Sequence, residues 1–188
     1  HLGHEYNIEH QGDRWLVLTN DSNDATGKHD QRAVNRKLME VPVGAKTERN
    51  AWKELIAHRD DVTLESVEPF SNFVIVKERE GGLAHLRVMN LKTGSDARMD
   101  MPEDLYTVYG SNNPNYDTNT FRIGYQSMVT PRSIFDVDLV TGERTLLKET
   151  PVLGGYDRTA YTTERRWATS PVCTRVPMSV IRRNDTPL

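Results

Sequence analysis

Serines, histidines and acids are scattered along this 188-residue chain, and their spacing decides whether any of them does chemistry. A hydrolase-type serine nucleophile needs Gly-x-Ser-x-Gly on a sharp strand-to-helix turn. Ser111 follows Gly110 directly and Ser127 lies three positions after Gly124, so both read as surface or strand-edge serines. His1, His4 and His10 are close in sequence, but they miss the helical i, i+4 interval, and no carboxylate or cysteine completes a ligand set; they read as a flexible terminus. The acidic pairs Asp60-Asp61 and Glu78/Glu80 have the charge to hold a cationic substrate, against the plainer reading of solvated turn and edge charges. Gly81-Gly82 in "EREGGLAH" is a hairpin signal before it is a phosphate loop, because no Lys-Ser/Thr follows. Cys173 needs a setting that lowers its pKa to act as a nucleophile, which a sequence does not reveal, so it reads as inert. No catalytic, metal or cofactor site is expected from these residues.

The elements that would position them repeat. "VMNLKTGSDARMD" (88–100) and "VDLVTGERTLLKE" (137–149) each read as two short strands bent around a Thr-Gly turn. Aligning them sets Asn90 against Asp138 and Gly94 against Gly142, 48 residues apart; a looser copy stops at Gly44, 50 residues before Gly94. A period of about 40–50 residues with several short strands per unit is that of a β-propeller blade. The strands read as "EYNIEH", "RWLVLTN", "KLMEVPV" and "WKELIA"; then "TLESVEPF", "NFVIVKERE", "AHLRVMNL" and "ARMDMP"; then "DLYTVYGS", "TFRIGYQS", "SIFDVDL" and "ERTLLKE". The period favours a strand at "WKELIA" over the short helix that "TERNAWKELI" also permits. In "RWLVLTN", Trp15 and Val17 face one way and Leu16 and Leu18 the other, so that strand is apolar on both faces, as between two packed neighbours. "TFRIGYQS" instead sets Arg122, Gly124 and Gln126 on one, more polar, face. The polar run from Asp21 to Asn35 reads as a long exposed loop, the first place for a protease to cut, near Lys28 or Arg32.

With 36% hydrophobic residues and a formal charge of −3, the composition is that of an ordinary soluble globular chain. The 27 Asp plus Glu against 24 Lys plus Arg leave no basic stripe, which sets aside a dedicated nucleic-acid binder. No apolar run reaches the roughly 18 residues of a membrane span, and "HLGHEYNIEH" has no signal-peptide pattern, so neither a membrane nor export is expected. A single cysteine excludes an intramolecular disulfide and fits a reducing compartment, with a cytoplasmic location as the default. The chain does not begin with Met, which reads as a trimmed or internal piece of something longer.

The runs "HEYNIEHQGDRWLVLTN", "LMEVPV", "EREGGLAHLRV", "FRIGYQSMVTPRSIFDVDLVTGERTLLKETPVLGGYD", "YTTERRWAT" and "VPMSVIRR" resemble oligopeptidase B, a trypsin-like branch of the prolyl oligopeptidase family of serine peptidases. The resemblance covers nearly the whole chain and is most specific from Phe121 to Thr169. It implies an all-β partial propeller: about three four-stranded antiparallel blades (1–58, 59–102 and 103–150) of a seven-bladed ring, then an incomplete exit segment (151–188) toward an α/β-hydrolase domain. The family's catalytic residues lie C-terminal to Leu188, so none is carried over. The implied function is a non-catalytic, substrate-gating portion of an enzyme that cleaves short peptides after Arg or Lys. A freestanding propeller-derived binding or scaffold module is the alternative. Arg165 and Arg166 are candidate contacts across the propeller–hydrolase boundary, and the expected partners are short basic peptides, the hydrolase domain and the remaining blades. Three blades of such a ring leave two flanks, both expected to be apolar, with self-association as one consequence. Relatives place Asp-Gly at the turn before "VPMSV", where this chain has Val172-Cys173. A β-branched residue at positive φ is strained, so the expectation is a wider loop or no hairpin, with 170–188 poorly ordered.

Overall fold

The computed structural model describes residues 3–21, 33–45 and 51–186. Most of the 21–35 loop, including Lys28 and Arg32, lies outside the described residues, as does His1. Strands β1 (Tyr6–Gln11), β2 (Arg14–Thr19), β3 (Lys37–Pro42) and β4 (Lys53–Ile56) pair in sequence order into one antiparallel sheet. The same meander recurs in β5 (Val62–Pro69), β6 (Phe73–Glu80), β7 (Leu83–Asn90) and β8 (Asp96–Arg98). It recurs again in β9 (Tyr106–Gly110), β10 (Thr120–Ser127), β11 (Ser133–Asp138) and β12 (Arg144–Glu149). A two-stranded sheet, β13 (Tyr161–Thr169) with β14 (Arg175–Arg183), follows a 3-10 turn at Arg158–Ala160. The architecture is a partial propeller of three four-stranded blades and a two-stranded piece. Two compact units divide it: His1–Glu80, His85–Arg98 and Asn115–Thr118 form the first, and Gly81–Ala84, Met99–Pro114 and Asn119–Leu188 the second.

The turns that carry the sequence period are built alike. Asn90 Oδ1 accepts from the backbone N–H groups of Lys92 and Thr93, and Gly94 N–H bonds back to the Asn90 carbonyl at 2.9 Å. Asp138 Oδ1 accepts from Val140 and Thr141 N–H, and Gly142 N–H bonds to the Asp138 carbonyl at 2.8 Å. Both glycines have positive φ, 74° and 79°, which a side chain would resist. The third, looser copy differs where glycine matters: Gly44 is not at positive φ.

Strand β2 is buried on both faces, as its sequence requires. Leu16 and Leu18 join Leu38 and Ile56 of their own sheet and pack on Leu64, Val67, Val74 and Val76 of the second blade. On the opposite face Val17 packs with Met39 and Val41, beside Ala45 and Trp52. That face then opens: Tyr6 is 67% and Ile8 50% exposed, and with Trp15 they border an apolar groove of about 470 Å³. The third blade is different. Phe121, Ile123, Tyr125 and Val137 are buried, with Tyr125 stacked on Tyr106 and edge-on to Phe135. The alternate face of β10 carries Arg122, whose guanidinium grips Asp136 with two bonds of 2.8 and 2.9 Å. The expectation of two apolar flanks is therefore corrected. The first blade has an apolar open face, whereas the third presents an ion pair, because β10 alternates residue types and β2 does not.

The hairpin expectation is met in its wider loop and corrected in its pairing. β13 and β14 pair without interruption from Tyr161↔Arg183 to Thr169↔Arg175. The loop is wider than a two-residue turn, but pairing survives: Cys173 N–H bonds to the Ser170 carbonyl and Ser170 N–H to the Thr174 carbonyl, each at 2.9 Å. This is a type I turn over Pro171-Val172 followed by one left-handed residue, the usual three-residue hairpin loop. The left-handed position falls on Cys173 (φ 60°), so Val172 never takes the conformation that would strain it. Pro171 suits the first central position of that turn.

Candidate functional site

Alternation along β13 separates the two candidate arginines. Arg165 shares a face with Trp167 and, across the hairpin, with Ser179, Pro177 and Arg175. Arg166 lies on the other face with Glu164, Ala168, Val176, Met178 and Val180. On the first face the Trp167 indole has two guanidinium neighbours, with Arg165 Cζ 5.3 Å and Arg175 Cζ 4.5 Å from the ring centroid, within cation–π range. The Gly81-Gly82 turn, left-handed at both residues, is placed directly against this group. A Cβ on Gly81 would lie 3.4 Å from the indole, and one on Gly82 would lie 3.4 Å from Arg165 and from Pro177. The glycine pair is thus a hairpin turn, as its sequence indicates, that also seats the β13–β14 hairpin. On the second face Arg166 donates to Glu164 at 2.8 Å, while Val176 and Met178 are exposed.

Of the acidic candidates, Glu78 and Glu80 are engaged by the chain's own arginines. Glu78 is 0% exposed and accepts from Arg59, from Arg87 at 3.2 Å and from Nε and Nη2 of Arg98 at 3.1 Å. Glu80 pairs with Arg98 at 2.5 Å, and Arg87 also grips Asp96 with two 2.6 Å bonds. Burial alone would raise the Glu78 carboxyl. The hydrogen bonds of Arg59, Arg87 and Arg98 and the charge of Arg59 outweigh it and hold Glu78 below the ordinary carboxylate range. This cluster locks β6, β7 and β8 to the residues before β5, and no carboxylate oxygen of Glu78 is left for a substrate. Asp60 is fully exposed, 3.7 Å from His58.

The remaining candidates stay apart. Ser127 Oγ accepts from the N–H groups of Val129 and Thr130, a turn role, and Ser111 continues the backbone pairing of β10 through the Arg122 carbonyl. His10 lies against the Trp15 ring at 4.7 Å. Among the described residues no three His, Cys, Asp or Glu side chains converge in a metal-binding group. Cys173 is exposed in the hairpin loop.

Residues 1–150 match the family model of the prolyl oligopeptidase N-terminal β-propeller domain. The chain belongs to that family. It is 39% identical over 182 residues to dipeptidyl aminopeptidase BI of Pseudoxanthomonas mexicana, covering 96% of this chain and 24% of that protein. Its structure is similar to oligopeptidase B from Trypanosoma brucei in a closed form with covalently bound antipain (TM-score 0.83, 29% identity, 99% of this chain and 26% of that one). It is also similar to oligopeptidase B from Leishmania major (TM-score 0.80, 31% identity, 97% and 25%). The chain therefore spans about a quarter of the length of these relatives.

Within a propeller of this family, β1 to β12 fall inside the matched residues and β13 and β14 beyond them. Arg165 and Arg166 thus stand on a hairpin beyond the matched residues, one facing its own unit and the other facing away. Sequence reading misses Tyr106, Thr107, Gln126 and Ser179, which share a cavity with Arg165. Only the alternation of Gln126 with apolar neighbours in "TFRIGYQS" marks any of them.

Proposed function

We propose that this chain is the non-catalytic propeller portion of an oligopeptidase B-like serine peptidase, and that it gates access for short peptides cut after Arg or Lys. The observation that carries the reading is the match of three consecutive blades to the oligopeptidase B structures, in a sequence with no nucleophile elbow and whose described serines have turn and strand roles. A gate contributes by exclusion and sequestration rather than bond making. The Arg166 face supports a domain contact: an apolar stripe of Ala168, Val176, Met178 and Val180 flanked by charge, on a two-stranded hairpin that needs further packing to be stable. Self-association, where it occurs, runs through the apolar face of Tyr6, Ile8 and Trp15 rather than the Arg122–Asp136 face.

The test is direct. Purified chain is incubated with Arg- and Lys-p-nitroanilides and, separately, with a fluorophosphonate label. Neither turnover nor labelling is expected, since positioning without a nucleophile gives no acyl-enzyme. Inhibitor-sensitive turnover or a labelled serine overturns the reading.

A further inference from the structure

Two cross-strand pairs face one cavity of about 300 Å³ in the second unit. Arg165 lies opposite Ser179 in the β13–β14 hairpin, and Gln126 lies opposite Thr107 in β9–β10; all four line the cavity with Leu105 and Met128. No Asp or Glu is among the lining residues. Glu103, close by in sequence, is held by the Thr130 hydroxyl. Among the described residues the Arg165 guanidinium has no hydrogen-bond or ion-pair partner and lies over the neutral Trp167 ring, and the side chains of Thr107, Gln126 and Ser179 are likewise unpaired. A fork of N–H donors, two hydroxyls and an amide, with apolar wall beside them and no competing carboxylate, is a set of groups awaiting an anion.

We propose that this cavity is a carboxylate site that takes the C-terminal residue of a short peptide. The charge count selects the ligand. One guanidinium matches one planar monoanion through two parallel bonds, whereas a phosphate dianion in the same place would keep half its charge uncompensated. The apolar wall of Leu105 and Met128 suits a carboxylate borne on an organic side chain rather than a bare ion. The volume holds one or two residues, at the small end of ligand pockets. Binding occurs without any reaction, and Trp167 holds the guanidinium plane in place so that little freedom is lost on binding. In assigning the carboxylate to a peptide, the proposal rests on the peptidase reading above; its test involves no turnover, so the two fail separately.

N-acetyl-leucine is the probe, titrated into the intact chain while the backbone amides of Thr107, Gln126 and Ser179 are followed by NMR. Saturable shifts at those amides are expected. N-acetyl-leucinamide, which lacks the charge, and inorganic phosphate should each bind at least about tenfold more weakly. Arg165→Gln should weaken N-acetyl-leucine by about tenfold or more, while Arg166→Gln, on the opposite face, should leave it within about twofold. Absent saturation, equal binding of the neutral amide, equal or tighter binding of phosphate, or undiminished binding by a folded Arg165→Gln chain each overturns the proposal. If Arg165→Gln does not fold, the acid-to-amide comparison on the unaltered chain decides alone.

Discussion

Gly124 sits in the middle of β10 and is not at positive φ, so its backbone does not demand glycine. Its neighbour does. A Cβ at this position would lie 2.6 Å from the Tyr109 hydroxyl and closer still to Cζ and Cε2, because the ring lies flat across the glycine from the directly paired position on β9. An aromatic laid over a strand glycine fills the face that the missing side chain leaves open. Gly124→Ala must push the ring off, and overpacking of this kind costs about 1–3 kcal/mol, or a fall of roughly 2–4 °C in melting temperature per kcal/mol for a chain of this size. Tyr109→Ala alone costs about 1–2 kcal/mol in lost contact. Combined, the two changes relieve each other: the new methyl enters the space the ring vacates, and the double variant should be more stable than the sum predicts by about 1 kcal/mol or more. Urea unfolding of the four chains, compared at constant m, measures this coupling. Additivity within about 0.5 kcal/mol would refute the ring-over-glycine argument.

Glu78→Gln should destabilise by about 3 kcal/mol or more, since it removes the partner of three guanidinium groups held in one cluster; urea unfolding at neutral pH reads it. Because the folded-state carboxyl of Glu78 is held below its ordinary value of 4.5, the stability it contributes is complete above that value and is lost as the pH falls through the folded-state value. A pH series from 7 to about 3 should therefore show an acid loss that is smaller in Glu78→Gln, and identical slopes would count against the linkage. Cys173→Gly should stabilise the β13–β14 hairpin by about 1 kcal/mol by relieving a left-handed non-glycine residue. Slower amide exchange at Met178 to Ile181 is the readout, and Val172→Asp should give no such gain.

What the sequence disclosed was local. The Asn90 and Asp138 turns are legible because a side-chain acceptor and a glycine four residues later act within one turn, and nothing distant has to cooperate. The hairpin at Ser170 is legible only in part, for a related reason. Which residue takes the positive φ depends on whether the loop holds two residues or three, and the count is fixed by the register of β13 against β14 rather than by Val172 or Cys173. The Glu78 cluster gathers arginines from positions 59, 87 and 98, and no spacing rule joins those positions before the sheet is built. The Arg165 cavity is hidden in the same way. Thr107 meets Gln126, and Arg165 meets Ser179, only as cross-strand neighbours, and Gly82 reveals its second role only once a ring and a guanidinium stand within van der Waals distance of it.

The exposed faces of the first and third blades differ in what covering them would cost, although the backbone plan is the same. Each blade is the same meander, so most of its backbone pairing lies within the sheet; apart from loop bonds such as Leu64 N–H to the Asn35 carbonyl, contact with a neighbour falls to side chains on the two faces. Where a face is Tyr6, Ile8, Trp15 and Val41, the removal of apolar area from water drives it onto another apolar sheet without directional preference. Where it is Arg122 with Asp136, covering the face means desolvating a charge pair, and only a partner that returns those hydrogen bonds offsets that penalty. A repeat built of similar backbones thus acquires one apolar face and one face bearing a charge pair from the alternation of a single strand. Arg122, Gly124 and Gln126, set between Phe121, Ile123 and Tyr125, are the residues that make the difference.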